Sequence, residues 1–198
     1  MRYALAIFMC LTLVGCKTIV ENGNSFMVDV ERSEMLVAAD NELLLRVDRF
    51  SALSPFKYKG LVYRKSDMEY ETDHYHQFLI QPEDMVMRAA YDWFSCSGLF
   101  GDVIIWDGSS KATHSMKGFI TSLYGDFRDE SSFGAVVEIE FTLIDLRQKQ
   151  PQIVLEKTYQ SRVGFESRDA SSLVQGYGKC LEEIFTKLEG DVAACKLQ

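Results

Sequence analysis

Cys16 carries the most specific chemistry in this chain. It closes the run Leu13-Val14-Gly15-Cys16, placed directly after a short apolar segment at the N-terminus. Arg2 supplies a positive start, residues 3–14 carry no charge, and Gly15 lets a peptidase approach the backbone. This is the layout of a signal peptide ending in a lipobox. The Cys16 thiol would form a thioether to a diacylglycerol, and its freed amine would take an acyl chain such as palmitate. Each buried CH₂ then contributes about 0.8 kcal/mol, and more than one chain anchors stably. The segment is too short to span a bilayer as a helix, which takes about 20 apolar residues. Two plainer readings are an ordinary leader with Cys16 incidental, and a buried N-terminal helix.

The remaining reactive residues do not assemble a centre in the sequence. His74 and His76 sit at i, i+2, with Asp73 adjacent. On a strand that spacing aims both imidazoles one way, but no third and fourth ligand accompany them. Ser115, His114 and Asp73 make a triad on paper only, because adjacent strand residues face opposite sides. Gly176-Tyr177-Gly178 falls inside a helical pattern, not between a strand and a helix, so it is no phosphate cradle. Close helix–sheet packing or a local bend suits it better. Cys96, Cys180 and Cys195 are odd in number, and Cys180 and Cys195 would lie about 22 Å apart on one unbroken helix. A bridge between them would need a break near Gly190. No catalytic residue, metal site or cofactor is expected.

A different chemistry is legible between residues 56 and 78. Phe56, Tyr58, Tyr63, Tyr70, Tyr75 and Phe78 are interleaved with Lys57, Lys59, Arg64 and Lys65. Tyr and Arg are favoured interface anchors. Phe56, Tyr58, Tyr63, Arg64, Tyr70 and Tyr75 are therefore the candidate partner surface. The alternative is that about half of these rings fill the core of short strands.

The elements that must position these groups follow from periodicity. Phe26, Val28 and Val30 alternate and allow a short strand within a tether over residues 16–42. Leu43, Leu45 and Val47 share a strand face. Residues 61–64 and 68–72 predict a hairpin around Lys65-Ser66-Asp67. Residues 82–97 predict a helix, with Pro82 at its first position, Glu83 and Asp84 in the first turn, and Gly98 as its stop. Residues 103–106 predict a short buried strand. Residues 114–124, 134–146 and 152–163 predict an antiparallel meander. In its middle strand Val137, Ile139, Phe141 and Leu143 oppose Glu138, Glu140 and Thr142, which marks one wet face. Asp169 caps a last helix over residues 169–188. The sum is an α/β two-layer sandwich over residues 43–198, with a mixed, mostly antiparallel sheet and two helices on one face.

The formal net charge is −8, and loss of residues 1–15 with Arg2 would leave about −9. An acidic chain without a basic block is a poor ligand for nucleic acid.

Several motifs, in order, resemble a known family. They are Lys59-Gly60-Leu61-Val62-Tyr63-Arg64, Tyr70-Glu71-Thr72-Asp73, His74-Tyr75-His76-Gln77-Phe78, the helix from Pro82 to Ser97-Gly98-Leu99-Phe100, Leu123-Tyr124-Gly125-Asp126-Phe127, and the strand at 135–146. Together with the leader they look like the ABC-type transport auxiliary lipoproteins of the paraquat-inducible protein C type. The resemblance implies a non-enzymatic lipoprotein on the periplasmic face of the outer membrane. It implies a mammalian-cell-entry (MCE) domain protein and an inner-membrane ABC transporter as partners, with lipids or other hydrophobic compounds as cargo, and it allows a homo-oligomeric ring. Lys17 fits the outer membrane, since an Asp after the lipidated cysteine tends to retain such proteins in the inner one. Only Cys16 carries a family role. An alternative is a lipoprotein scaffold or activator of cell-wall synthesis or outer-membrane assembly. A third reading is a periplasmic hydrolase using His74, His76 or His114.

Overall fold

The computed structural model describes residues 23–32, 36, 42–106, 111–129, 131–195 and 197. Cys16 and its leader lie outside the described residues. Among those residues the strands are β1 (Asn24–Phe26), β2 (Leu44–Val47), β3 (Ser51–Ala52), β4 (Gly60–Arg64), β5 (Tyr70–Phe78), β6 (Asp102–Ile105), β7 (His114–Asp126), β8 (Phe133–Asp145) and β9 (Gln152–Phe165). The helices are α1 (Pro82–Ser95) and α2 (Ala170–Ala194), and a 3₁₀ turn spans Ser54–Phe56. This is the expected α/β sandwich, a mixed sheet with both helices on one face.

The long strand β7 organises the sheet. Along one edge it runs antiparallel to β8, which runs antiparallel to β9. That is the expected meander. Along its other edge β2, β3 and β4 pair with it in succession, all parallel, at Leu45↔His114, Ser51↔Phe119 and Tyr63↔Gly125. β5 then adds antiparallel to β4, β1 parallel to β5, and β6 parallel to β2.

Alternation decides which face is dry. Val137, Ile139, Phe141 and Leu143 of β8 are buried, while Glu138, Glu140 and Thr142 between them are partly exposed. α1 buries Val86, Ala90, Trp93 and Phe94 over this sheet. α2 buries Leu173, Tyr177, Leu181, Ile184, Phe185 and Leu188. Phe185 joins the layers, with its ring 6.2 Å from Phe141 and 5.7 Å from Trp93. Proline opens α1, and the Asp169 side chain caps α2 by accepting from Ser172 N–H at 2.8 Å. Gly98, with φ of 70°, turns the chain out of α1 in the left-handed conformation that suits glycine.

α2 runs past Gly190 without a break, with Leu188 and Val192 buried on either side of it. Cys180 and Cys195 accordingly stay apart as free thiols. Cys180 Sγ donates to the Ala135 carbonyl and Cys195 Sγ to the Val154 carbonyl.

One expectation changes. Residues 24–32, assigned to the tether, are built into the domain. β1 ends at Phe26, and residues 27–32 then cross the outer side of the helices as a strap. Val28 N–H donates to the Met85 thioether sulfur, Sδ, at 3.4 Å. A Cβ on Gly178 of α2 would lie 2.3 Å from the Asp29 carbonyl, so only glycine admits the strap there. Arg32 closes it, with its guanidinium on the Glu189 carboxylate and 4.8 Å over the Trp93 ring. Trp93 Nε1 also donates to Glu189, at 2.6 Å. The physical reason is the alternation of Phe26, Val28 and Val30, all of which pack on the core.

Candidate functional site

The β4–β5 hairpin carries the aromatic and basic residues singled out above, and the sheet splits them between its two faces. Arg64 and Tyr70 are direct cross-strand partners. On the face away from the helices, the Arg64 guanidinium lies 5.5 Å from the Tyr70 ring and 5.8 Å from the Tyr124 ring of β7. Tyr70 meets Tyr124 edge-on at 5.6 Å, and Phe56 stacks on Tyr124 at 6.2 Å. Phe56 is buried, so it supports the patch from beneath, whereas Tyr70 is 46% exposed. Cation–π contacts of this kind contribute about 0.5–1 kcal/mol each at exposed sites.

Tyr63 points to the other face. Its ring meets Phe127 edge-on at 5.2 Å, and its hydroxyl donates to Asp73 Oδ2 at 2.9 Å. Phe127 packs in turn on Phe133 and Phe165. Two cations close over these rings. Lys65 Nζ lies 5.6 Å from Tyr63, and the Arg168 guanidinium lies 5.6 Å from Phe127 and 5.8 Å from Phe133. Tyr63, Lys65, Asp73, His76, Phe127, Arg168 and Asp169 line a cavity of about 340 Å³ beside the start of α2. Tyr58 and Tyr75 are exposed and join neither ring cluster.

Asp73 explains why β5 is longer and less regular than expected. The register slips between Gly60 and Val62, and the Asp73 side chain holds the slack. Its Oδ1 accepts from the backbone N–H of Tyr75 and of His76, and Oδ2 pairs with His76 Nδ1 at 2.9 Å. Burial works against its charge, but the His76 and Tyr75 N–H bonds, and those of the His76 ring and Tyr63, outweigh it and hold the carboxyl below its usual range. Burial, then the Asp73 bond, pushes the Tyr63 phenol well above its ordinary value. Asp73 is thus a clamp with its acceptor sites filled.

Asp73 belongs to the β5 bulge, while His114 and Ser115 sit at the far end of β7, roughly 35 Å along that strand from the β4 contact. His114 is buried toward the helices with its Nδ1 on Thr113 Oγ1, and Ser115 donates to Asp48 Oδ2 at 2.6 Å. The paper triad is therefore not brought together. His74 is exposed, and among the described residues no three His, Cys, Asp or Glu side chains gather as a metal would require.

Tyr124 and Phe127 entered the sequence reading only within the motif Leu123–Phe127, not as candidate site residues, and Phe133 and Arg168 were not singled out. Arg168 directly precedes the Asp169 cap, which was the available signal. The turn of the hairpin is held by Arg128, which chelates Asp126 through Nε and Nη2, both at 2.9 Å, and reaches Asp67 through Nη1 at 2.8 Å.

No protein-family model matches the chain, and no curated protein matches it. Solved structures do. A Xanthomonas campestris protein described under the family DUF330 superposes with a TM-score of 0.74 at 16% identity, covering 86% of this chain and 95% of that one. A second, described as an uncharacterized protein, gives 0.64 at 13% identity over 87% and 97%. A hypothetical protein of Chlamydia trachomatis gives 0.51 at 9% identity over 78% and 99%. At these identities the likeness is one of fold.

Proposed function

We propose that this chain is a lipid-anchored envelope protein that serves as a non-enzymatic auxiliary component of an ABC/MCE-type transport system for lipids or other hydrophobic compounds. Cys16 is the attachment site, and the outer membrane, on its periplasmic face, is the location. The observation that carries the reading is the Leu13–Cys16 leader in front of a domain whose β4–β5 hairpin presents aromatic rings and cations. The family-like order of motifs supports it. No described helix is long and apolar enough to cross a membrane, so in this reading attachment falls to the lipid. The hairpin is the docking surface, with Tyr58, Tyr70 and Tyr75 as exposed anchors and Arg64 held ready between Tyr70 and Tyr124.

Two measurements test it. Labelled palmitate should enter the wild-type chain and not Cys16→Ala, which should fold normally, leave the membrane fraction and fail to complement a deletion strain. Photocrosslinking from Tyr70 and Tyr75 in cells should recover an MCE-domain protein. Full activity from the unlipidated form would overturn the anchoring role. Recovery of a cell-wall synthase with no transporter part would redirect the function to the scaffold reading.

A further inference from the structure

We propose that the cavity beside the start of α2 binds a phosphodiester, and that its source is the headgroup of a phospholipid in the membrane that holds Cys16. The choice of source rests on the anchoring reading above. Lys65 in the hairpin turn and Arg168 before the α2 cap reach the same ring. The Lys65 ammonium lies 5.9 Å and the Arg168 guanidinium 5.6 Å from the centre of Phe127. Both line the cavity of about 340 Å³, with Tyr63 and Phe127 as its aromatic wall. Arg168 is exposed, and its contacts among the described residues are with the rings of Phe127 and Phe133. Lys65 reaches one carboxylate, Glu71, at 3.1 Å, and that side chain is 62% exposed. Such a rim pair contributes little, so both cations are available to an anion. The two carboxylates in the wall are already engaged. Asp73 accepts from four donors, and Asp169 accepts from the Ser172 N–H and hydroxyl at the head of α2.

The geometry selects the class of ligand. Two cations carried by different elements match the two non-bridging oxygens of a phosphodiester, and both guanidinium and ammonium bind phosphate well. The rings beside them suit the glyceryl carbons that flank a lipid phosphate. The cavity volume, against roughly 30 Å³ for one water in the liquid, admits a phosphodiester with those carbons. The chain leading to Cys16 joins the domain at the same place. A Cβ on Gly23 would lie 2.6 Å from the Tyr75 carbonyl, and the Phe26 ring lies 6.1 Å from that of His76, a residue of the cavity wall. Cys16 precedes Gly23 by seven residues, which reach at most about 24 Å at roughly 3.4 Å each. An anchored chain therefore keeps this side of the domain close to the bilayer surface. The hairpin then serves two ends, with Arg64 and Tyr70 on one face for a protein partner and Tyr63 on the other, beside Lys65, for a lipid.

Isothermal titration of the full-length protein in a phosphate-free non-ionic detergent tests the site with glycerophosphoglycerol, inorganic phosphate and glycerol. Glycerophosphoglycerol should bind and glycerol should not. Lys65→Gln and Arg168→Gln should each weaken binding by roughly fivefold or more, the loss of a charged hydrogen bond, and Arg168→Lys should weaken it less. Glu71→Gln should strengthen binding, because it frees Lys65, and a damaged fold gives no such gain. In phospholipid vesicles, hydrogen exchange over residues 65–66 and 168–170 should fall relative to detergent, and Arg168→Gln should remove that protection. Binding of inorganic phosphate with no protection in vesicles overturns the membrane source. Failure of glycerophosphoglycerol to bind, or binding indifferent to both Lys65→Gln and Arg168→Gln, overturns the site. The titration needs no acyl chain on Cys16. A chain that takes up no palmitate yet binds the phosphodiester upholds the site and overturns the anchoring reading, and with it the membrane source.

Discussion

Asp73 shows how a residue that looks reactive can be fully occupied by structure. Four donors converge on its carboxylate, two of them backbone N–H groups in the β5 bulge. Asp73→Ala should lower stability by about 1–3 kcal/mol, the cost of losing charged hydrogen bonds and leaving their donors unsatisfied, read from urea unfolding. The acid response should show two stages. Burial lowers the His114 pKa, with nearby Asp145 opposing it and Arg147 adding to it. Hydrogen bonds from the Arg147 side chain, then its backbone, hold Asp145 at about 2. Asp126 is likewise lowered, chiefly by the Arg128 side chain. Each of these groups takes up a proton less readily folded than unfolded, so each contributes stability above its unfolded pKa and loses it as pH falls through the folded one. Tm should therefore begin to fall below about pH 6.5 through His114 and drop more steeply between about pH 4 and 2 through the aspartates. His114→Leu should flatten the first stage, and Asp145→Asn the second.

At the level of elements, the two glycines of α2 do different work. A Cβ on Gly176 would lie 2.7 Å from Ala135 Cβ, against the sheet, while one on Gly178 would strike the strap. The sequence reading of close helix–sheet packing covers Gly176 and missed Gly178, because the strap's course over α2 is not a local property. Gly176→Ala should destabilise by about 1–3 kcal/mol through overpacking. Gly178→Ala should behave otherwise. Helix propensity returns about 1 kcal/mol, and the strap is displaced, so hydrogen exchange over residues 27–32 should rise much more than global stability falls. Elements with a clean period were readable: α1 and α2 from their apolar faces, β8 from strict alternation, and the hairpin from its Lys65-Ser66-Asp67 turn. β5 was cut short because the Asp73 bulge interrupts its alternation. β2, β3 and β4 gave no hint of their shared parallel pairing with β7, since such register lies between distant segments.

For the whole molecule, the wet sheet face and the two-helix layer were legible in charge and period. The clustering of Tyr63, Phe127 and Arg168 was not, because β4, the end of β7 and the start of α2 meet only after the sheet closes. The domain boundary also moves. Removing residues 1–22 spares every described contact and serves as the reference. Removing residues 1–32 should strip Phe26, Val28 and Val30 from the core and the Arg32 contact from Glu189 and Trp93, at a cost of about 3 kcal/mol or more. Comparing the two truncations by calorimetry locates the boundary.

The strap also sets how the domain meets mechanical load. A pull on the N-terminal end of the described chain at Gly23 is borne first by the β1–β5 ladder, then by the contact of Asp29 with Gly178, and then by the Arg32–Glu189–Trp93 clasp. Each joint must yield before the next is fully strained. Residues 24–32 hold at most about 30 Å of chain, at roughly 3.4 Å per extended residue, and the load then falls on Leu36, whose N–H is held by the Cys96 carbonyl.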